Sequence, residues 1–311
     1  MELFQEFLNK PKYKVEATKG KSFEEFGVLL ELRNPRARIS RSEIKGTPYS
    51  CLGELCWYLS GSDELAPIQY YIPMYSESSD DDQTVHGAYG PRIFKMNGII
   101  NQFQNIEKLL SEKKSSRRAV MQLFDAEDLE VYHKDIPCTN TMQFVIRDEK
   151  LDMMVSMRSN DIYKGLPHDI FTFTMIQEIL SLRLGVELGT YKHAVGSLHL
   201  YEDDIENASK FTQEGWSMDV SMPAIPKNNF ENDLSTFLSI EKEIRTKGYK
   251  NLPKKINITK YWYDLILLLK AFYIYKNEKS IDELERIRGE LDNDLYDIYL
   301  TKYINKLNNE S

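Results

Sequence analysis

The sequence predicts a mixed α/β fold on three observations. Segments 141–147 and 151–158 read as adjacent strands joined by the turn Asp148-Glu149-Lys150. Segment 171–184 carries Phe171, Met175, Ile176, Ile179 and Leu180 at the spacing of a buried helix. Segment 191–201 returns to strand character, with Gly196 permitting a bend. Strands and helices follow a mixed rather than strictly alternating order.

Upstream, 22–31 reads as a strand through Phe26, Val28, Leu29 and Leu30, and the Arg-rich stretch 33–41 as a polar loop. A helix follows at 50–60, where Leu52, Leu55, Cys56 and Leu59 share one face and Glu54 stands beside that stripe. Pro67, Pro73, Gly87, Gly90 and Pro91 make 63–92 mostly loop with short helical pieces. The acidic run Asp80-Asp81-Asp82 within it is a solvated loop, since no His or Glu at ligand spacing supports a metal. A helix at 99–113 leads through Ser115-Ser116-Arg117-Arg118 into a strand at 119–124.

After Pro223 the character changes, with Asn and Lys frequent and helical patterns at 234–246, 259–277 and 280–305. Ser280 and Glu283 form a capping-box pattern ahead of the last. Trp262, Leu265, Leu268, Leu269 and Phe272 recur at the spacing of a packed helix rather than a ligand site. No Pro-, Gly- or Ser-rich linker or internal repeat divides the 311 residues. The expected organisation is a main domain over 1–225 with a helical extension over 226–311 packed on it.

With 41% hydrophobic and 28% charged residues, the composition is that of a folded globular chain. The N-terminus has no basic segment leading into an apolar run, and the longest apolar stretch, 265–275, is short and broken by Lys270, so a cytoplasmic protein without membrane contact is expected. Three cysteines, Cys51, Cys56 and Cys138, and five histidines form neither a disulfide framework nor a zinc pattern. A net charge of −8 disfavours a nucleic-acid polymer as partner and leaves local basic clusters for one small anion.

Cys138 follows Pro137 at the mouth of a predicted strand, with arginines in nearby segments that would favour a thiolate. A lone cysteine is more often a buried small hydrophobe. The surrounding motifs decide between the two. Pro137-Cys138, Arg158-Ser159-Asn160-Asp161, Gly165-Leu166-Pro167 and Gly196-Ser197-Leu198-His199-Leu200-Tyr201, in this order and spacing, resemble thymidylate synthase and its relatives the pyrimidine nucleotide hydroxymethylases. Glu54-Leu55-Cys56-Trp57-Tyr58-Leu59-Ser60-Gly61 looks like the family helix bearing the catalytic glutamate, and Gly87-Ala88-Tyr89-Gly90 like its tyrosine-bearing turn.

The resemblance implies the thymidylate synthase fold, a mixed β-sheet with helices (α+β), dimerised sheet to sheet, and an activity on a pyrimidine nucleotide with 5,10-methylenetetrahydrofolate and no metal. It assigns Cys138 as nucleophile on C6, with Glu54 and Tyr89 moving protons. Arg158, Ser159 and the partner's Arg117 and Arg118 would hold the 5′-phosphate, since guanidinium groups bind phosphate bidentately. His199 and Tyr201 would meet the sugar hydroxyl, and Asp161 belongs to the same substrate-binding set. Arg38, from the Arg-rich loop, is taken as a further phosphate ligand.

Several residues depart from the thymidylate synthase pattern. Asp169 stands where those enzymes carry the asparagine that reads uracil; an Asp sharing a proton with N3 and accepting from N4 fits cytosine as Asn fits uracil. Ser197, Thr139 and Met157 replace the usual Asp, His and Gln, and a polar Asn-Lys-Leu-Asn-Asn-Glu-Ser ends the chain where an apolar tail would close over folate. The pattern looks most like the CMP and dCMP hydroxymethylases, in which water attacks an exocyclic methylene. A thymidylate synthase methylating dUMP is the alternative, and an inactive nucleotide- or RNA-binding homologue is the alternative of another class.

Overall fold

Six segments pair into one sheet in the computed structural model, which describes residues 2–17, 20–42, 48–215, 220–253 and 255–310. The elements in chain order are α1 (Glu2–Asn9), β1 (Tyr13–Ala17), β2 (Gly20–Leu32), α2 (Pro48–Leu59), α3 (Leu65–Tyr71), α4 (Tyr89–Phe94), α5 (Gln102–Glu112), β3 (Val120–Gln122), β4 (Thr139–Arg147) and β5 (Lys150–Asp161). Then come α6 (Gly165–Arg183), β6 (Glu187–Tyr201), α7 (Ile205–Gln213), α8 (Phe230–Lys247), α9 (Lys260–Asn277), α10 (Ile281–Arg288) and α11 (Asp297–Glu310). The strand order is β1-β2-β6-β5-β4-β3, antiparallel throughout except for β5 and β6, which α6 connects as parallel neighbours. Asp148 and Glu149 close the β4–β5 hairpin at φ 47° and 56°, the left-handed pair that a tight hairpin turn favours.

The three central strands shift phase together. On β5 the buried positions run Leu151, Met153, Val155, Met157 and then Asn160; on β6 they run Tyr191, His193, Val195 and then Leu198 and Leu200. On β2, Glu25 is buried whereas Leu29, four residues on, is exposed, with Gly27 between them at φ 78°. A Cβ on Gly196 would lie 2.9 Å from the Arg158 carbonyl oxygen, so the strands pass at this kink closer than a side chain allows. The bend expected at Gly196 is therefore one part of a kink crossing three strands, and it re-aims Arg158 and Ser159.

Helix α6 is buried almost all round, against the sheet and α2. It begins at Gly165, six residues before the expected start, because Asp161 Oδ1 accepts from the Tyr163 and Lys164 amides and Pro167 is tolerated in a first turn. The apolar stripe of α9 is core, with Trp262, Leu265, Leu268 and Leu269 at 0–1% exposure. The expected single helix over 280–305 is two: buried Asp264 takes the amides of Asp292 and Asn293 at 2.9 and 3.1 Å, holding the chain out of helix just after Gly289. The capping Ser280 does accept from the Glu283 amide.

The C-terminal helices share one hydrophobic cluster with α2. Tyr303 stacks on Tyr49 at 4.5 Å, Tyr71 donates to Glu241 at 2.9 Å, and Tyr299 donates to the Ser40 carbonyl at 2.7 Å. They thus pin the helix that carries Glu54. Helices α1 and α7 and strand β1 were not anticipated; α1 and α7 cover a second apolar cluster with Leu198 and Leu200.

Candidate active site

Cys138 lies half-buried immediately before β4. Arg158, turned by the kink, donates through Nε to the Pro137 carbonyl (2.9 Å) and through Nη2 to the Ile136 carbonyl (3.0 Å), and Nη2 stands 3.6 Å from the Cys138 sulfur. A fixed positive charge therefore sits beside the thiol. Tyr89 accepts from the Thr139 amide at 3.0 Å, the residue after the cysteine. Burial pushes the Tyr89 hydroxyl well above its usual range, with Cys138 and Asp169 adding to the effect, so this phenol stays protonated and available as a donor.

Glu54 is 5% exposed on α2, a helix buried on nearly every side. Its Oε1 accepts from Tyr75 (2.9 Å) and Tyr58 (3.2 Å). Its Oε2 lies 3.3 Å from His168 Nδ1 and makes no well-aligned hydrogen bond among the described residues. A buried carboxylate with one oxygen left over is a natural seat for a water or a substrate proton.

Asp169 lies in the second turn of α6, not in a loop. Burial, with the nearby Glu54 charge second, pushes its carboxyl up to about 8, against the hydrogen bond that Asn160 Nδ2 donates to Oδ2. Asp169 is thus a carboxylic acid at neutral pH, with one O–H to donate and oxygens to accept.

The remaining expected residues fall into two groups. Ser159 pairs in register with Ser197, and Asp161 with His199, across β5 and β6. His199 packs edge-on against Tyr201 at 4.9 Å, and the Tyr201 hydroxyl is raised by burial first and then by Asp161 and Cys138, so all lie at the Cys138 end of the sheet. Asp161 spends Oδ1 on the turn into α6. Arg117 and Arg118 are exposed, and their side chains have no hydrogen bond or ion pair among the described residues. Arg38 stands apart: fully buried and ion-paired with Glu178, with Tyr261 and Tyr296 nearby, it cannot reach solvent to hold a phosphate. That expectation is corrected, because Arg38 turns inward beneath the C-terminal helices while Arg33 and Arg41 stay exposed.

Ser50, Tyr58, Tyr75, Asn160 and His168 join the site without having been expected. Three had a readable signal: Tyr58 is one helical turn from Glu54, Asn160 lies within the Arg158–Asp161 motif, and His168 precedes Asp169. In the acidic run, Asp81 caps its own turn by accepting from the Gln83 and Thr84 amides, and Asp80 pairs with His133. Among the described residues, no cluster of three or more His, Cys, Asp or Glu could hold a metal, and no helix is long and apolar enough to cross a membrane.

A buried glutamate, a cysteine flanked by an arginine and a buried aspartic acid lie at one end of a kinked sheet, and a family profile covers all of them. The thymidylate synthase profile matches residues 10–259, and the chain belongs to this family and has its fold. The match runs past residue 225 through α8, so the family part includes the first helix of the expected extension. Among known relatives, a deoxyuridylate hydroxymethyltransferase of Delftia phage PhiW-14 is 31% identical over 209 residues, 62% of this chain and 57% of that protein. Another, from Bacillus phage SP01, is 28% identical over 214 residues, 64% of this chain and 55% of that protein. A thymidylate synthase of Bacillus licheniformis is 30% identical over 191 residues, 57% of this chain and 68% of that protein. The chain spans about half the length of the curated hydroxymethyltransferases it matches.

Proposed function

We propose that the protein hydroxymethylates C5 of a cytidine monophosphate, CMP or dCMP, with 5,10-methylenetetrahydrofolate as one-carbon donor and water as second co-substrate. The carrying observation is Asp169, a buried acid protonated at neutral pH: its O–H meets the N3 acceptor of cytosine, and a carboxyl oxygen accepts from the N4 amino group. Asn160 orients it.

Cys138 adds through sulfur to C6, and the electron pair moves to C5, which takes the one-carbon unit from the folate. Glu54, with Tyr89, removes the C5 proton and hands it to the departing folate nitrogen, and loss of tetrahydrofolate leaves an exocyclic methylene on the ring. Glu54 then takes a proton from the water that attacks this carbon, and expulsion of Cys138 restores the C5–C6 double bond. Arg158 and Ser159 would bind the 5′-phosphate together with Arg117 and Arg118 of a second subunit, while His199 and Tyr201 would meet the sugar and Asp161 the same ligand. A homodimer is supported by the open sheet face around the kink, where Phe26 is 76%, Leu29 60% and Met154 40% exposed.

The names of the phage relatives favour a second reading, hydroxymethylation of dUMP, and those of the bacterial relatives a third, its methylation. Incubation with methylenetetrahydrofolate and each of dUMP, CMP and dCMP, followed by mass analysis, separates the three. A hydroxymethyl product from a cytidylate supports the proposal; modification of dUMP alone overturns it.

A further inference from the structure

His168 stands beside the Glu54 oxygen that the tyrosines do not hold. Tyr58 and Tyr75 hold Oε1, whereas Oε2 faces His168 Nδ1 at 3.3 Å. The other ring nitrogen, Nε2, lies 3.0 Å from the Ser50 hydroxyl. Glu54 is nearly sealed, with 6% of its side chain exposed, but His168 has 23% exposed, so the ring bridges the buried carboxylate and the outside. Two helices fix this geometry, α2 presenting Ser50 and Glu54 one turn apart and α6 presenting His168 beside Asp169.

We infer that His168 is the positioning residue whose charge returns Glu54 to its ionised form after each hydration step. The inference rests on the proposed hydroxymethylation for its role in turnover, but the pair itself does not depend on the product. In the hydration step the water oxygen bonds to the methylene carbon, its proton goes to Glu54, and the electron pair enters the ring and then leaves with the Cys138 sulfur. Glu54 now carries a proton that it must lose before the next cycle. A charged His168, which carries a proton on each ring nitrogen, favours the ionised carboxylate over the acid, so that Glu54 gives its proton up to solvent water while Nδ1 keeps its own. The ion pair is restored and the water's proton has left the site.

The groups facing the ring are Cys51 and Glu54 from α2 and Asp169 from its own helix. Burial opposes charge on the imidazole, but the Cys51 and Glu54 contacts outweigh it and hold the ring well above its usual range, while Asp169 is itself protonated at neutral pH.

NMR titration of the ring needs no turnover and tests the pair directly: His168 should titrate above the free value in the wild type and fall by a unit or more in Glu54→Gln. The pH profile of product formation tests the effect of the His168 charge on Glu54. His168→Asn keeps a polar side chain but carries no charge; it should lose roughly tenfold or more in kcat, move the acid limb of the profile upward, and leave nucleotide Kd and Tm near the wild type. Added imidazole should restore part of the rate to His168→Ala. An unchanged ring titration in Glu54→Gln, or a His168→Asn enzyme with an unshifted profile, overturns the inference. A wild type that yields no hydroxymethyl product, with the ring titrating as expected, overturns the proposed function and leaves the pair standing.

Discussion

At the residue scale, identity and neighbourhood contribute separately. Cys138, Glu54, Tyr89, Arg158 and Asp169 were legible because their motifs occur in order, but the ionisation of Asp169 was not, since it follows from burial and from Glu54, residues distant in the chain. Its sign is testable. The folded state holds a proton on Asp169 that the unfolded chain, at the usual 3.8, releases. Wild-type stability relative to Asp169→Asn should therefore fall by up to about 1.4 kcal/mol per pH unit between about pH 4 and pH 8 and level off above. Denaturant melts across that range check this, and a constant difference would contradict it. The same variant should lose cytidylate turnover and gain dUMP turnover, because an amide donates to O4 and accepts from N3–H. Cys138→Ser should abolish tritium release from C5-labelled nucleotide.

At the element scale, β2 to β6 and most of α6 were readable because strand and helical patterns survive burial, whereas β1 and the phase shift were not. Gly196 announced a bend, but its alignment with Gly27 and Arg158 arises from pairing across three strands. Arg38 shows the opposite failure: an Arg-rich loop reads as solvated until a buried partner, Glu178, is found 140 residues away. The kink predicts that Gly196→Val, whose Cβ meets the Arg158 backbone, costs about 1–3 kcal/mol. Its nucleotide affinity should fall more than the stability loss alone explains, since Arg158 is displaced. Thermal melts and phosphate competition measure the two effects.

At the scale of the whole molecule, the site is incomplete without a second copy if Arg117 and Arg118 act in trans. Phe26→Asp on the open face should shift the protein from dimer to monomer in sedimentation and remove activity, though it lies in no apolar core. Mixing inactive Cys138→Ser with inactive Arg118→Ala should regenerate about a quarter of wild-type sites by random subunit exchange. No regain on mixing would place the arginines elsewhere. The C-terminal helices, read from sequence as chemically silent, act through packing: they hold the loop before α2 and, through Tyr49, the helix of Glu54.

The most direct test of cytidylate hydroxymethylation is a competition reaction containing equal dUMP, CMP and dCMP with methylenetetrahydrofolate, read by mass after a few turnovers. A 5-hydroxymethylcytidylate as the main product is the predicted result. A modified uridylate as the main product, hydroxymethylated or methylated, would contradict it.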